Sequence, residues 1–189
     1  LLPILLTSSA FLPATAFAHP GHGTSNLAEG FLHPLSGLDH LLAMLAVGLW
    51  AAQMGGRARL TVPASFVLAM TAGWFLGSSG TRIPWVEQGI AASVLVMGLM
   101  IAIAARPPLA LPITMAATFA MFHGHAHGIE QPQNGGWGGY LAGFTGATVL
   151  LHAAGIGISQ ILAAAPRTRP LLRLAGGGIA LAGVLVALR

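Results

Sequence analysis

The chain contains no cysteine and no lysine, and only four of its 189 residues are acidic. Without cysteine there is no disulfide, no thiolate cluster and no thiol nucleophile. Without lysine there is no phosphate-loop motif and no Schiff base, so an ATP-driven pump within this chain and a retinal pigment are both excluded. Charged residues make up 6% of the chain and hydrophobic ones 55%, against about 25% charged in an ordinary soluble domain. Such a composition is that of an integral membrane protein. All eight basic residues are arginines set mostly between apolar runs, which is a topology signal rather than a nucleic-acid footprint.

The opening segment, LLPILLTSSAFLPATAFAHPGHG, has a short apolar core followed by Ala16-Phe17-Ala18, a small-x-small pattern of secretory cleavage sites. Residues 1–18 are therefore expected to be a cleavable signal peptide, with the mature chain starting at His19. Beyond it lie six apolar runs of roughly the 17–25 residues needed to span a bilayer, at about 30–54, 60–79, 86–105, 109–128, 138–163 and 171–188. The expected architecture is all-α: a polytopic membrane protein in which residues 19–189 form a single six-helix transmembrane domain. Arg57, Arg59, Arg106, Arg167, Arg169 and Arg173 follow the first, third and fifth runs, while the alternate side carries only Arg82 and Arg189. Because positive loops stay inside, both termini are expected to face outward. By the same reasoning Trp85, Trp137 and Tyr140 should form an outer aromatic belt, with Trp50 near the inner interface. The G-x-x-x-G pair Gly139/Gly143, with Gly146, Gly155, Gly157 and Gly176–Gly178, reads as small residues that let helices approach closely.

Ionisable groups inside such runs are costly and usually face the protein interior or a watered path. The first run holds His33, Asp39 and His40. On a regular helix His33 and His40 share a face but stand about 10 Å apart along the axis, too far to hold one ion together. Pro34 and Gly37 between them weaken the helix, so HPLSG is expected to bend His33 back towards Asp39 and His40. A second group, MFHGHAHGIE, closes the fourth run. His123, His127 and Glu130 lie on one face at spacings of four and three, with His125 roughly opposite. Two imidazoles four residues apart suit one metal ion.

The first run enters where the fourth run leaves, so both groups are expected at one level, facing one another across the bundle. His152, near mid-depth in the fifth run, reads either as a further station or as an interhelical hydrogen-bonding residue. His19 and His22 read as an ion-capturing end or an inert tail. Imidazole with carboxylate suits Ni²⁺, Co²⁺, Zn²⁺ and Cu²⁺, and affinity alone does not choose among them.

These motifs, HPLSGLDHLLAMLAVGLWA and FHGHAHGIE, with a signal-like start and six spans, resemble the HupE/UreJ family of nickel permeases and hydrogenase or urease accessory proteins. The resemblance implies uptake of Ni²⁺, in some members Co²⁺, by a secondary permease or facilitator of the bacterial inner membrane. It carries over His33, Asp39 and His40 as transport-critical and His123, His127 and Glu130 as their second-motif counterparts, with His125 at a more variable position. The chain departs from the family in lacking an initiating Met. The metal is then cargo and no cofactor is held permanently; the partners are the ion, the bilayer and, downstream, hydrogenase or urease maturation machinery, while a homo-oligomer stays open. Two other classes compete: an intramembrane zinc hydrolase, with Asp39 or Glu130 as general base and Ser36 nearby, and an accessory protein that delivers metal without transporting it.

Overall fold

A computed structural model describes residues 26–131 and 136–188; the expected signal peptide, His19 and His22 lie outside the described residues. Seven helices and no strand occur among those described: α1 (Asn26–Ser36), α2 (Leu38–Met54), α3 (Ala58–Ser78), α4 (Val86–Ala102), α5 (Ala110–Ile129), α6 (Trp137–Ala164) and α7 (Arg169–Ala187). Their bounds follow the six apolar runs closely, except in the first. There the chain bends by 85° between α1 and α2. Gly37 alone forms the break, extended at φ −97° and ψ 119°. HPLSG is thus helical as far as Ser36, and the bend is sharper and more local than a loosened HPLSG loop.

Helices α3, α6 and α7 are each long and apolar enough to cross a membrane, and α1 with α2 makes a fourth such span if the bent pair is counted as one. Helix α4 is apolar but only 17 residues long. Helix α5 runs for 20 residues and carries three histidines in its last two turns.

Helix pairing follows small residues, as expected where lipid supplies no hydrophobic drive between helices. The α3–α5 seam is built from two G-x-x-x-G pairs not singled out above, Gly73/Gly77 and Gly124/Gly128. A Cβ on Gly124 would overlap the backbone of Met70, and one on Gly73 the backbone of Met121. Gly143 and Gly155 of α6 meet the backbones of Leu27 and Leu45, and Gly176 of α7 meets Ala102. A Cβ on Gly146, Gly157, Gly177 or Gly178 would meet nothing within 4 Å among the described residues, so the close helix approach expected at them is not seen within this bundle.

Two aromatic expectations also change. Trp85 and Trp137 are exposed, but Tyr140 and Trp50 are buried. Trp50 donates its indole N–H to the Ala105 carbonyl at 3.0 Å, tying α2 to the chain just beyond α4.

Candidate metal centre

Helix α5 leaves the α3 seam with its histidines pointing two ways. His125 turns towards the α3–α4 loop, where its Nε2–H donates to the Thr81 carbonyl at 2.6 Å. His123 and His127 face the opposite way, into the bundle, where both are buried. The bend at Gly37 brings α1 and the start of α2 over this face. His33 then lies with its ring centroid 4.7 Å from that of His127, and the His40 ring lies 4.4 Å from His127 and 4.7 Å from His123. The two sequence groups therefore meet at one end of the bundle, with their rings in contact rather than facing across open space. His40 touches both α5 rings, so the pair read from i,i+4 spacing is completed by an imidazole from α2.

The file descends from surface to interior. Glu130 and His33 have side chains 56% and 33% exposed, His40 14%, and His127 1%. At the mouth, His33 Nε2–H donates to Glu130 Oε2 at 3.0 Å, and His127 Nδ1 lies 3.7 Å from the same oxygen. That hydrogen bond holds the Glu130 carboxyl below its ordinary range. One ligand atom each from His33, His127 and Glu130 lie within 4.8 Å of one another. A tetrahedral ion at about 2.0–2.1 Å from each would need them roughly 3.3 Å apart, a closure within reach of side-chain rotation.

Deeper in, hydrogen bonds decide which nitrogens carry lone pairs. His40 Nδ1–H donates to Asp39 Oδ1 at 2.9 Å, and the same oxygen accepts the His40 backbone N–H at 2.8 Å. His40 Nε2 is thereby left with its lone pair, buried and without a hydrogen-bond partner among the described residues. The Ser93 hydroxyl spends its proton on the Ile90 carbonyl at 2.6 Å, so at 2.9 Å it must accept from His123 Nε2–H. His123 Nδ1 is then the unprotonated nitrogen, also buried and unpartnered. Buried polar atoms nearly always find partners, and two such nitrogens on rings in contact are what a cation would use.

Below His123 stands Phe66, its ring 5.8 Å from His123 and 5.1 Å from His152. His152 is buried with neither ring nitrogen bonded. It does not join the outer file directly; the Phe66 ring intervenes. Thr148, one turn earlier on α6, lies with its hydroxyl 3.2 Å from Met44 Sδ and 3.7 Å from Met70 Sδ. Ser93, Phe66 and Tyr140, whose ring lies 5.7 Å from His33, escaped sequence reasoning. A serine, a phenylalanine and a tyrosine in apolar runs carry no local signal of a partner 30 to more than 100 residues away.

The family model of the HupE / UreJ protein matches residues 6–186. The chain belongs to the HupE/UreJ family. Protein HupE of Rhizobium leguminosarum bv. viciae is 44% identical over 172 residues, which cover 91% of this chain and 90% of that one. No solved structure matches it. The HupE/UreJ match takes in both histidine groups, Ser93, Phe66 and His152, so the whole file lies inside the family's common length.

Proposed function

We propose that this HupE/UreJ protein is a secondary permease or facilitator that takes up divalent nickel, with cobalt as the nearest alternative, across the bacterial inner membrane. The observation that carries the reading is the graded file of imidazoles, from Glu130 and His33 at the mouth to the buried ring nitrogens of His40 and His123. A hydrated ion would first meet Glu130 and His33, exchange water for imidazole nitrogen, and pass to His40, His127 and His123. Asp39 serves best as the group that orients His40 and balances charge behind it, a carboxylate–imidazole arrangement common around metals. His152 would be the next station once the Phe66 ring moves. Weak, incomplete coordination at each stage favours release as well as capture. In this reading α1 with α2 and α3 to α7 make six spans, the arginine loops face the cytoplasm and both termini the periplasm.

Nickel-63 uptake in cells lacking other nickel importers tests the proposal. His40→Ala and Asp39→Ala, each confirmed in the membrane by immunoblot, should lower initial uptake to background. Wild-type uptake by both variants would refute it. The hydrolase alternative loses ground at Ser36, whose hydroxyl donates to the His33 carbonyl at 2.6 Å and so closes a turn instead of facing the ion.

A further inference from the structure

At the end of the bundle opposite the histidines, Arg59, Arg106, Arg169 and Arg173 line one open pocket of about 490 Å³. They come from the start of α3, the α4–α5 connection and the first turns of α7, and the ends of α2 and α6 complete the walls. Among the described residues no acidic one lines it. The chain's four acids, Glu29, Asp39, Glu87 and Glu130, sit in α1, at the starts of α2 and α4 and just past the end of α5, all towards the histidine end. Arg173 Nε–H donates to the Ala102 carbonyl at 2.8 Å and Arg169 Nε–H to Ala163 at 3.3 Å. Both side chains are thereby anchored, with their terminal amino groups left over. Arg59 and Arg106 make no hydrogen bond or ion pair with any described residue.

Arg59 also heads a second cavity. It has a volume of about 460 Å³, lies between α3 and α6, and is walled by Leu60, Pro63, Val67, Val149 and Ile156, with His152 also in its lining. Leu60 and Leu68 on its rim are 76% and 72% exposed, as side chains facing hydrocarbon would be. From residue 59 to 68 the groove follows α3 for about 14 Å at 1.5 Å per residue, close to half of a hydrocarbon core about 30 Å thick.

We propose that the two cavities are one site, which binds a single anionic glycerophospholipid with its phosphate among the four guanidinium groups and an acyl chain in the α3–α6 groove. Guanidinium matches phosphate oxygens with paired N–H donors, and basic pockets at helix ends hold anionic headgroups. The positive-inside tendency accounts for arginines in these loops but not for four of them converging on one pocket that shares Arg59 with an apolar groove. A soluble phosphate compound would use the arginines and leave the apolar part of the groove, along Leu60, Pro63 and Val67, without a role.

Native mass spectrometry and thermal unfolding of the full chain in a neutral detergent decide the matter, with phosphatidylglycerol, phosphatidylcholine or inorganic phosphate added. One phosphatidylglycerol should remain bound where phosphatidylcholine does not, and it should raise the unfolding midpoint. Arg59→Gln with Arg106→Gln, and separately Ala64→Phe with Ala153→Leu to fill the groove, should each weaken phosphatidylglycerol at least fivefold. Arg167→Gln, which removes a charge outside the pocket, should not. Equal retention of both lipids, or variants without effect, would overturn the site. Stabilisation by inorganic phosphate that matches phosphatidylglycerol and ignores the groove variants would overturn the lipid assignment. Should the arginine pair fail to fold, Arg106→Gln alone and the groove pair carry the same comparison.

Discussion

At the scale of single residues, the centre depends on which imidazole nitrogen is protonated. Asp39 and Ser93 set this for His40 and His123, one as a carboxylate and one as a hydroxyl whose proton is already spent on Ile90. Ser93→Ala removes the acceptor of His123 Nε2–H while adding almost no volume change. Left unmade, a buried hydrogen bond of this kind costs about 1–3 kcal/mol, and the ring would regain the freedom to present Nε2 or turn away. We expect Ser93→Ala to lower nickel affinity about tenfold, the lower part of the range for loss of a partner behind a metal ligand, with Ser93→Thr restoring much of it. Isothermal titration of purified protein reads the change, and unaltered affinity in the alanine variant would detach Ser93 from the centre.

At the scale of elements, the break at Gly37 positions the file, because a continuous helix would leave His33 about 10 Å from His40 along one axis. A Cβ at Gly37 would lie 2.9 Å from Asp39 Oδ1 and 3.3 Å from His40 Nδ1. The backbone there, with φ −97°, accepts alanine without strain, so Gly37→Ala acts through the Asp39–His40 pair. Its expected signature is nickel affinity reduced about tenfold with stability within about 1 kcal/mol of wild type, separated by titration and denaturation of the same sample. A large loss of stability with normal affinity would mean that Gly37 serves the fold alone.

The sequence made this element half legible. Proline and glycine between two histidines marked a weak point, and six apolar runs marked the helices. The direction of the bend was hidden, since it depends on α1 docking through Gly30 onto the backbone of Tyr140. Spacing on α5 likewise separated His125 from His123 and His127, because the 3.6-residue period is a local property. It could not show the His40 ring touching both of the others, which follows from how α2 and α5 cross. Tyr140 and Trp50 were misplaced for the same reason: aromatic residues near span ends favour the interface until a helix partner covers them.

At the scale of the whole molecule, charge is divided between the two ends, with the acids and the histidine file at one and most of the arginines at the other, so solution pH should act almost wholly on the first. Metal binding needs neutral imidazole and releases protons, and histidine ordinarily titrates near pH 6.5. Glu130 moves the other way: its carboxyl is held below its ordinary 4.5 by the His33 hydrogen bond. Any stability from that lowered value is present above 4.5 and disappears only as pH falls through the depressed value. Between pH 7 and 5 Glu130 therefore stays ionised, and the imidazoles alone carry the response. Nickel affinity, followed by competition with a chelating dye at constant ionic strength, should fall as the solution is acidified from pH 7, because the ion needs unprotonated imidazole. Unchanged nickel affinity in His40→Ala at pH 7 would mean that carboxylates and not imidazoles hold the ion, and the graded file would lose its role as the path.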